Sequence, residues 1–283
     1  AEKLISIHPW SEMARFSKTG GEACAIAIRI ARAKTQKDHI AFCGYHGWHD
    51  WYLSANISDK SNLNNQLLPG LETKGVPGNL TGTTHPFFYN DLQSFYDVFD
   101  EFGDDIGTII MEPTRGVLPE DNFLKKIEEY ARSNNKILIF DEVTSGFHNN
   151  FGGIHLTLNV KPDIAIFAKA MGNGYPISAI LGKRSVMDIA QDTFISSTMW
   201  TERIGFVAAL TCLNKLEKNN INEKLVYYGK MIKDGWKKIA MDNHINIIWG
   251  GHHASALPDE VFDAGVADYV LLGPAEFTFP VLL

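Results

Sequence analysis

IAIFAKAMGNGYPISAILG, residues Ile164–Gly182, decides how the rest of the chain is read. Its first four residues are apolar and suit a strand buried on both faces. Two positions later stands Lys169, and one residue after it the flexible run Met171-Gly172-Asn173-Gly174. An ammonium group at the end of a buried strand is stripped of water, the condition that a Schiff-base lysine requires. Lys169 is therefore a candidate nucleophile, and the ordinary alternative is a solvated lysine at a strand end.

Outward from this stretch, short apolar strands alternate with amphipathic helices, the pattern of an α/β fold with a mainly parallel sheet between helices. Strands are predicted at His39–Cys43, Thr108–Met111, Lys136–Phe140, Ile164–Phe167 and Ser178–Leu181. Helices are predicted at Glu22–Lys34, Glu120–Ser133, Arg203–Glu217 and Asn222–Met241. Residues 61–90, rich in Asn, Gly, Thr and Pro, read as a long irregular connection.

With 283 residues, 45% hydrophobic and 21% charged, the chain can bury a sizeable core in one large domain with a small appendage. A net charge of -7 without clustered Lys and Arg argues against nucleic acid as a partner. No apolar run reaches the roughly 18 residues of a membrane span. Cys24, Cys43 and Cys212 are odd in number, widely spaced and set in apolar runs, which predicts free thiols in a reducing compartment, with neither a disulfide nor a metal site. A cytoplasmic location follows as an expectation.

In such sheets ligands bind beyond the carboxyl ends of the strands. Thr19-Gly20-Gly21-Glu22 opens a helix with two glycines, which suits an anion at the helix N-terminus and equally an ordinary turn. Cys43-Gly44-Tyr45-His46-Gly47-Trp48-His49 crowds aromatic and imidazole groups at a strand end, where Tyr45 or His46 could stack on a flat ring or simply pack in a loop. KILIFDEV sets Asp141 directly after an apolar strand, and a buried carboxylate requires a cation or hydrogen-bond donors. A phosphate cradle, a stacking aromatic, a carboxylate for a pyridinium nitrogen and a lysine for an aldehyde are together the groups that pyridoxal 5'-phosphate (PLP) requires.

In this order along the chain, the motifs resemble those of the class III aminotransferases, fold type I PLP-dependent enzymes that include glutamate-1-semialdehyde 2,1-aminomutase. The resemblance runs from about Glu12 to about Ile247. RFSKTGGEACAIAIRIARA is similar to the family's phosphate loop and helix, which implies Gly20 and Gly21 at the phosphate, with Gly21 where the family usually has Ser or Thr. GYHGWHD implies Tyr45 as the ring-stacking residue. IFDEVTSGF implies that Asp141 pairs with the pyridine nitrogen and Val143 packs on the ring's other face. FAKAMGNGYPISAILG implies that Lys169 forms the internal aldimine. In SSTMWTERIGFVAAL, Thr198 matches the threonine that reaches the neighbouring subunit's cofactor phosphate, which implies a homodimer. Glu112 either lines the substrate side or serves a turn before Pro113.

The chain departs from the family at both ends. Only 18 residues precede Thr19, where family members carry a substantial segment, so the small domain is expected to be incomplete. From about Ile248 the sequence resembles the end of a cobalamin-binding domain of B12-dependent radical SAM proteins, without the motif that supplies the cobalt ligand. Residues 1–247 are thus expected to form the PLP-binding large domain and 248–283 an atypical tail, with a junction near Trp249; His252 and His253 read as a loop rather than a metal site. The expected activity is amino transfer between a small-molecule amino donor and an oxo or aldehyde acceptor. Intramolecular transfer of the aminomutase type and a cofactor-binding remnant without activity are the alternatives.

Overall fold

The computed structural model describes residues 1–249 and 267–270. In chain order it runs α1 (Glu2–Ile7), β1 (Met13–Ser17), α2 (Gly20–Thr35), β2 (His39–Cys43), α3 (Asp50–Leu53), α4 (Ala55–Ser58), β3 (Thr84–Pro86), α5 (Leu92–Phe102), β4 (Ile106–Met111) and α6 (Phe123–Ser133). It continues through β5 (Ile137–Asp141), β6 (Ile164–Phe167), β7 (Ser178–Gly182), α7 (Arg184–Met187), α8 (Arg203–Lys218) and α9 (Ile221–Asn243), and ends on the short parallel pair β8 (Ile248–Trp249) and β9 (Tyr269–Val270).

Seven strands form one sheet in the order β1-β7-β6-β5-β4-β2-β3. The run from β6 to β3 is parallel, β7 is antiparallel to β6, and β1 is antiparallel to β7. The α/β architecture expected from the sequence is therefore present, with an antiparallel edge on an otherwise parallel sheet. The central strands are buried along their whole length, which explains their continuous apolar composition. Successive side chains go to opposite faces: Ile40 and Phe42 pack with α2, whereas Ala41 and Cys43 pack with Phe95 of α5 and Ile127 of α6. A third cluster sets Phe167 and Leu181 against Leu4 of α1 and Ala209 and Leu213 of α8.

Most predicted elements sit within a few residues of their expected bounds. The helix expected from Glu22 begins earlier, at Gly20, because Thr19 accepts from the Glu22 N–H at 3.2 Å while Glu22 Oε2 accepts from the Thr19 N–H at 3.0 Å. The strand expected to end at Phe140 extends to Asp141. Strands β1 and β3 and helix α5 were not predicted. The sequence also shows no clustered cations, yet folding gathers Lys34, Lys37, Arg132, Lys136, Lys161 and Lys183 around one groove at the opposite end of the sheet from Asp141. Several are spent internally, with Lys136 Nζ on the Ile106 carbonyl at 2.8 Å, Arg132 on Glu128 at 2.6 Å and Lys183 on Asp163 at 2.7 Å. His252 and His253 and most of the 248–283 tail lie outside the described residues. Among the described residues no helix is long and apolar enough to cross a membrane.

Candidate active site

Parallel strands bring their carboxyl ends to one edge of a sheet, and here β1, β2, β5 and β6 end around a cavity of about 410 Å³. Gly20, Gly21, Tyr45, Asp141, Val143 and Lys169 line it together. Thr198 does not; it starts an exposed turn of 3-10 helix outside the cavity lining.

The phosphate-loop expectation has a physical basis in the capping pattern. Glu22 Oε2 takes the N–H groups of Lys18 and Thr19, Thr19 takes that of Glu22 with its side chain and that of Ala23 with its carbonyl. The N–H groups of Gly20 and Gly21 have no partner among the described residues, and they sit at the positive end of a 16-residue helix. A side chain at either position would crowd its neighbours. A Cβ on Gly20 would stand 2.9 Å from Val143 Cγ1, and one on Gly21 would stand 3.0 Å from the His49 ring. The glycine where the family carries a hydroxyl is thus matched by an imidazole filling that space, and His49 Nδ1 is buried without a hydrogen-bond partner.

Asp141 is 4% exposed, and its partners are donors from the chain itself. His46 Nδ1 lies 2.8 Å from Asp141 Oδ2, and its Nε2 lies 3.2 Å from the Cys43 carbonyl. The thiol of Cys24 reaches the same Oδ2 at 3.3 Å, and the Val143 N–H donates to Oδ1 at 3.0 Å. Cys24, His46 and Asp141 are the one group of three potential metal ligands among the described residues, and their mutual hydrogen bonds account for that proximity. His46 also lines the cavity but is 1% exposed and stacks on Trp51, whereas Tyr45 is 40% exposed and lines the cavity together with Tyr175.

Lys169 sits at the cavity mouth with φ +38°, a left-handed conformation that costs a non-glycine residue energy and recurs at functional positions. It is exposed, not buried as its strand context suggested: β6 ends at Phe167, and Lys169 stands two residues beyond that end. Its Nζ donates to Thr144 Oγ1 at 2.9 Å.

Four further groups surround the site. Thr144 holds the lysine. Lys18 lines the cavity and pairs with Glu202 at 2.5 Å, and Glu202 also accepts from Tyr175 Oη at 3.2 Å and caps α8 through the Ile204 and Gly205 N–H groups. Glu112 is not among the residues lining this cavity; its Oε2 accepts the Tyr45 N–H at 3.1 Å and faces Arg115 Nε at 3.4 Å. Arg115 binds the Gln66 carbonyl at 2.8 Å, and Gln66 Oε1 accepts the Gly44 N–H at 2.7 Å, so a polar relay fixes the Gly44–Tyr45 backbone. The fourth is Glu142, the second acid of the Asp-Glu pair, which is fully buried. It accepts from Ser145 Oγ, from the Ile154 and His155 N–H groups at 3.0 Å, and from His155 Nδ1 at 2.7 Å, tying down the loop that carries Val143 and Thr144.

The donor set suits a phosphorylated, aldehyde-bearing aromatic ring. The unpaired N–H groups of Gly20 and Gly21, the Asp141 carboxylate, Val143, Tyr45 and the Lys169 amine all line the one cavity.

The aminotransferase class-III family model matches residues 1–251. The 3-aminobutyryl-CoA aminotransferase of Cloacimonas acidaminovorans is 34% identical over 257 residues, covering 88% of this chain and 58% of the relative. The glutamate-1-semialdehyde 2,1-aminomutase of Methanococcoides burtonii is 32% identical over 259 residues, covering 88% of this chain and 60% of the relative. Among solved structures, the PLP internal aldimine form of the FumI protein of Sphingopyxis sp. MTA144 superposes with a TM-score of 0.75 at 25% identity, covering 86% of this chain and 56% of that one. The chain thus spans 56–60% of the length of these relatives.

Proposed function

Because the chain belongs to the class-III aminotransferase family, we propose that it carries the PLP-binding large domain of an aminotransferase that moves an amino group from a small-molecule donor to an oxo or aldehyde acceptor. The observation that carries this reading is the meeting of Lys169, Asp141 and the free Gly20 and Gly21 N–H groups in one cavity. Bound PLP supplies an electron sink for the charge that develops at the substrate carbon.

The roles of the chain's own groups follow from their positions. Gly20 and Gly21 hold the phosphate with backbone N–H groups. Asp141, hydrogen-bonded by His46, would face the ring nitrogen and favour its proton. Tyr45 and Val143, which line the cavity, would border the ring. Lys169 Nζ would be the amine that holds the cofactor's aldehyde, and that amine, bonded to Thr144 Oγ1, would serve as the base for a proton at the substrate carbon. Thr198, exposed and outside this cavity, is assigned to the cavity of a second copy.

A homodimer in a reducing, cytoplasmic setting is part of the proposal. Supporting it are three cysteines outside any disulfide and large exposed apolar side chains on α8 and α9, among them Val207, Tyr228, Ile232 and Trp236. We keep residues 248–283 apart as a tail, since the family match stops at residue 251.

Intramolecular amino transfer is the second reading, favoured by the relative named as an aminomutase. The test is a half-reaction: the PLP-loaded chain is mixed with single amino donors, and keto product and aminated cofactor are quantified. Stoichiometric keto product supports the aminotransferase. Isomerised amine from one substrate, without keto release, supports the aminomutase. A 1:1 complex that converts no donor contradicts both and leaves a binding remnant.

A further inference from the structure

Asp141 meets three donors from the chain itself. On Oδ2 converge His46 Nδ1 at 2.8 Å and Cys24 Sγ at 3.3 Å, and on Oδ1 stands the Val143 N–H at 3.0 Å. A carboxylate offers about four acceptor positions, so three are filled and the remaining one belongs to Oδ1. Cys24 reaches Oδ2 because it lies one turn into α2 from Gly20, on the face that packs against the sheet, and it borders the same cavity. It is 1% exposed.

We infer that Cys24 is a positioning residue that works with His46 to saturate Asp141 Oδ2, leaving Oδ1 as the oxygen that meets the cofactor's ring nitrogen. The inference rests on the PLP reading above. Burial and the neighbouring Asp141 push the Cys24 thiol well above its ordinary pKa, so it stays a protonated donor. A thiolate there would set a second negative charge against the carboxylate. Losing the thiol donor makes Asp141 a stronger base, which draws the ring-nitrogen proton toward the carboxylate and leaves the ring less cationic.

The experiment is a pH titration of the bound cofactor's absorption in the parent, Cys24→Val, which fills the site without a donor, and Cys24→Ser, which keeps a donor. A less cationic ring raises the titration midpoint. The expected shift is about half a pH unit upward in Cys24→Val, the size of one weak donor, with Cys24→Ser close to the parent. If Cys24→Val fails to fold, Cys24→Ala carries the same comparison. An unshifted midpoint in the donor-free variant, or an equal shift in Cys24→Ser, overturns the role of Cys24 while leaving the cofactor reading intact. A parent that shows no cofactor band overturns the cofactor reading, and the role of Cys24 with it.

Discussion

Lys169 Nζ donates a hydrogen bond of 2.9 Å to Thr144 Oγ1, joining the loop after β6 to the loop after β5 across the mouth of the cavity. The strained backbone at Lys169 and this bond together fix where the amine stands. Hydrogen bonds to charged groups contribute about 1.5–3 kcal/mol, and Thr144→Val removes one without emptying the space it fills. The variant is expected to retain the cofactor while its half-reaction with an amino donor slows by about tenfold or more. Stopped-flow absorbance against donor concentration measures this. An unchanged rate would remove Thr144 from the lysine's support.

The relay behind Tyr45 makes a prediction about stability and geometry together. Burial raises the Glu112 carboxyl above its ordinary pKa, and Arg115 opposes that shift. Arg115→Met leaves Glu112 without its cation, at a cost of about 3 kcal/mol for a buried pair broken on one side. Tyr45 loses its fixed backbone at the same time. Both the denaturation midpoint and the cofactor affinity are expected to fall in Arg115→Met, and Glu112→Gln in the same background should recover most of the stability, because no charge is then left unpaired.

His8 gives the fold a pH dependence. It is fully buried, with Nδ1 bonded to the Leu4 carbonyl at 2.9 Å and Nε2 lacking any partner, so charging the ring strands a proton. Burial lowers its pKa from 6.5 to about 4. A depressed pKa contributes stability that is complete above pH 6.5 and is lost as the pH falls toward 4, up to about 3 kcal/mol for this shift. His85, lowered to about 4 by burial and by His39, acts in the same direction. Thermal melts from pH 7 to pH 4 should show a falling midpoint, and His8→Phe should flatten part of that slope. A parent midpoint that stays constant over the range would contradict the account.

How much of this was legible in the sequence depends on the range of the interactions. The parallel core strands were readable because each is continuously apolar, and Asp141, Lys169 and the Gly20-Gly21 turn were readable because each interrupts a strand or opens a helix. Strand β1 escaped because it pairs at the sheet edge and its composition, MARFS, lacks a clear apolar pattern. Helix α5 carried a signal that could have found it: Asp91 caps the Ser94 N–H at 3.0 Å, and Phe95, Phe99 and Phe102 recur at helical spacing. The pairing of His46 with Asp141 was not legible because sequence shows neighbours along the chain, whereas Asp141 is 95 residues away. The supports of the site, Thr144 for Lys169, Arg115 for Glu112 and Cys24 for Asp141, are set by packing across strand ends and leave no motif.

The most direct test of the central claim is an absorption spectrum of the purified chain with PLP, compared with that of Lys169→Ala. The account predicts a band near the visible edge that survives dialysis in the parent and is absent from the variant. Identical spectra in the two would show that Lys169 does not hold the cofactor in this chain.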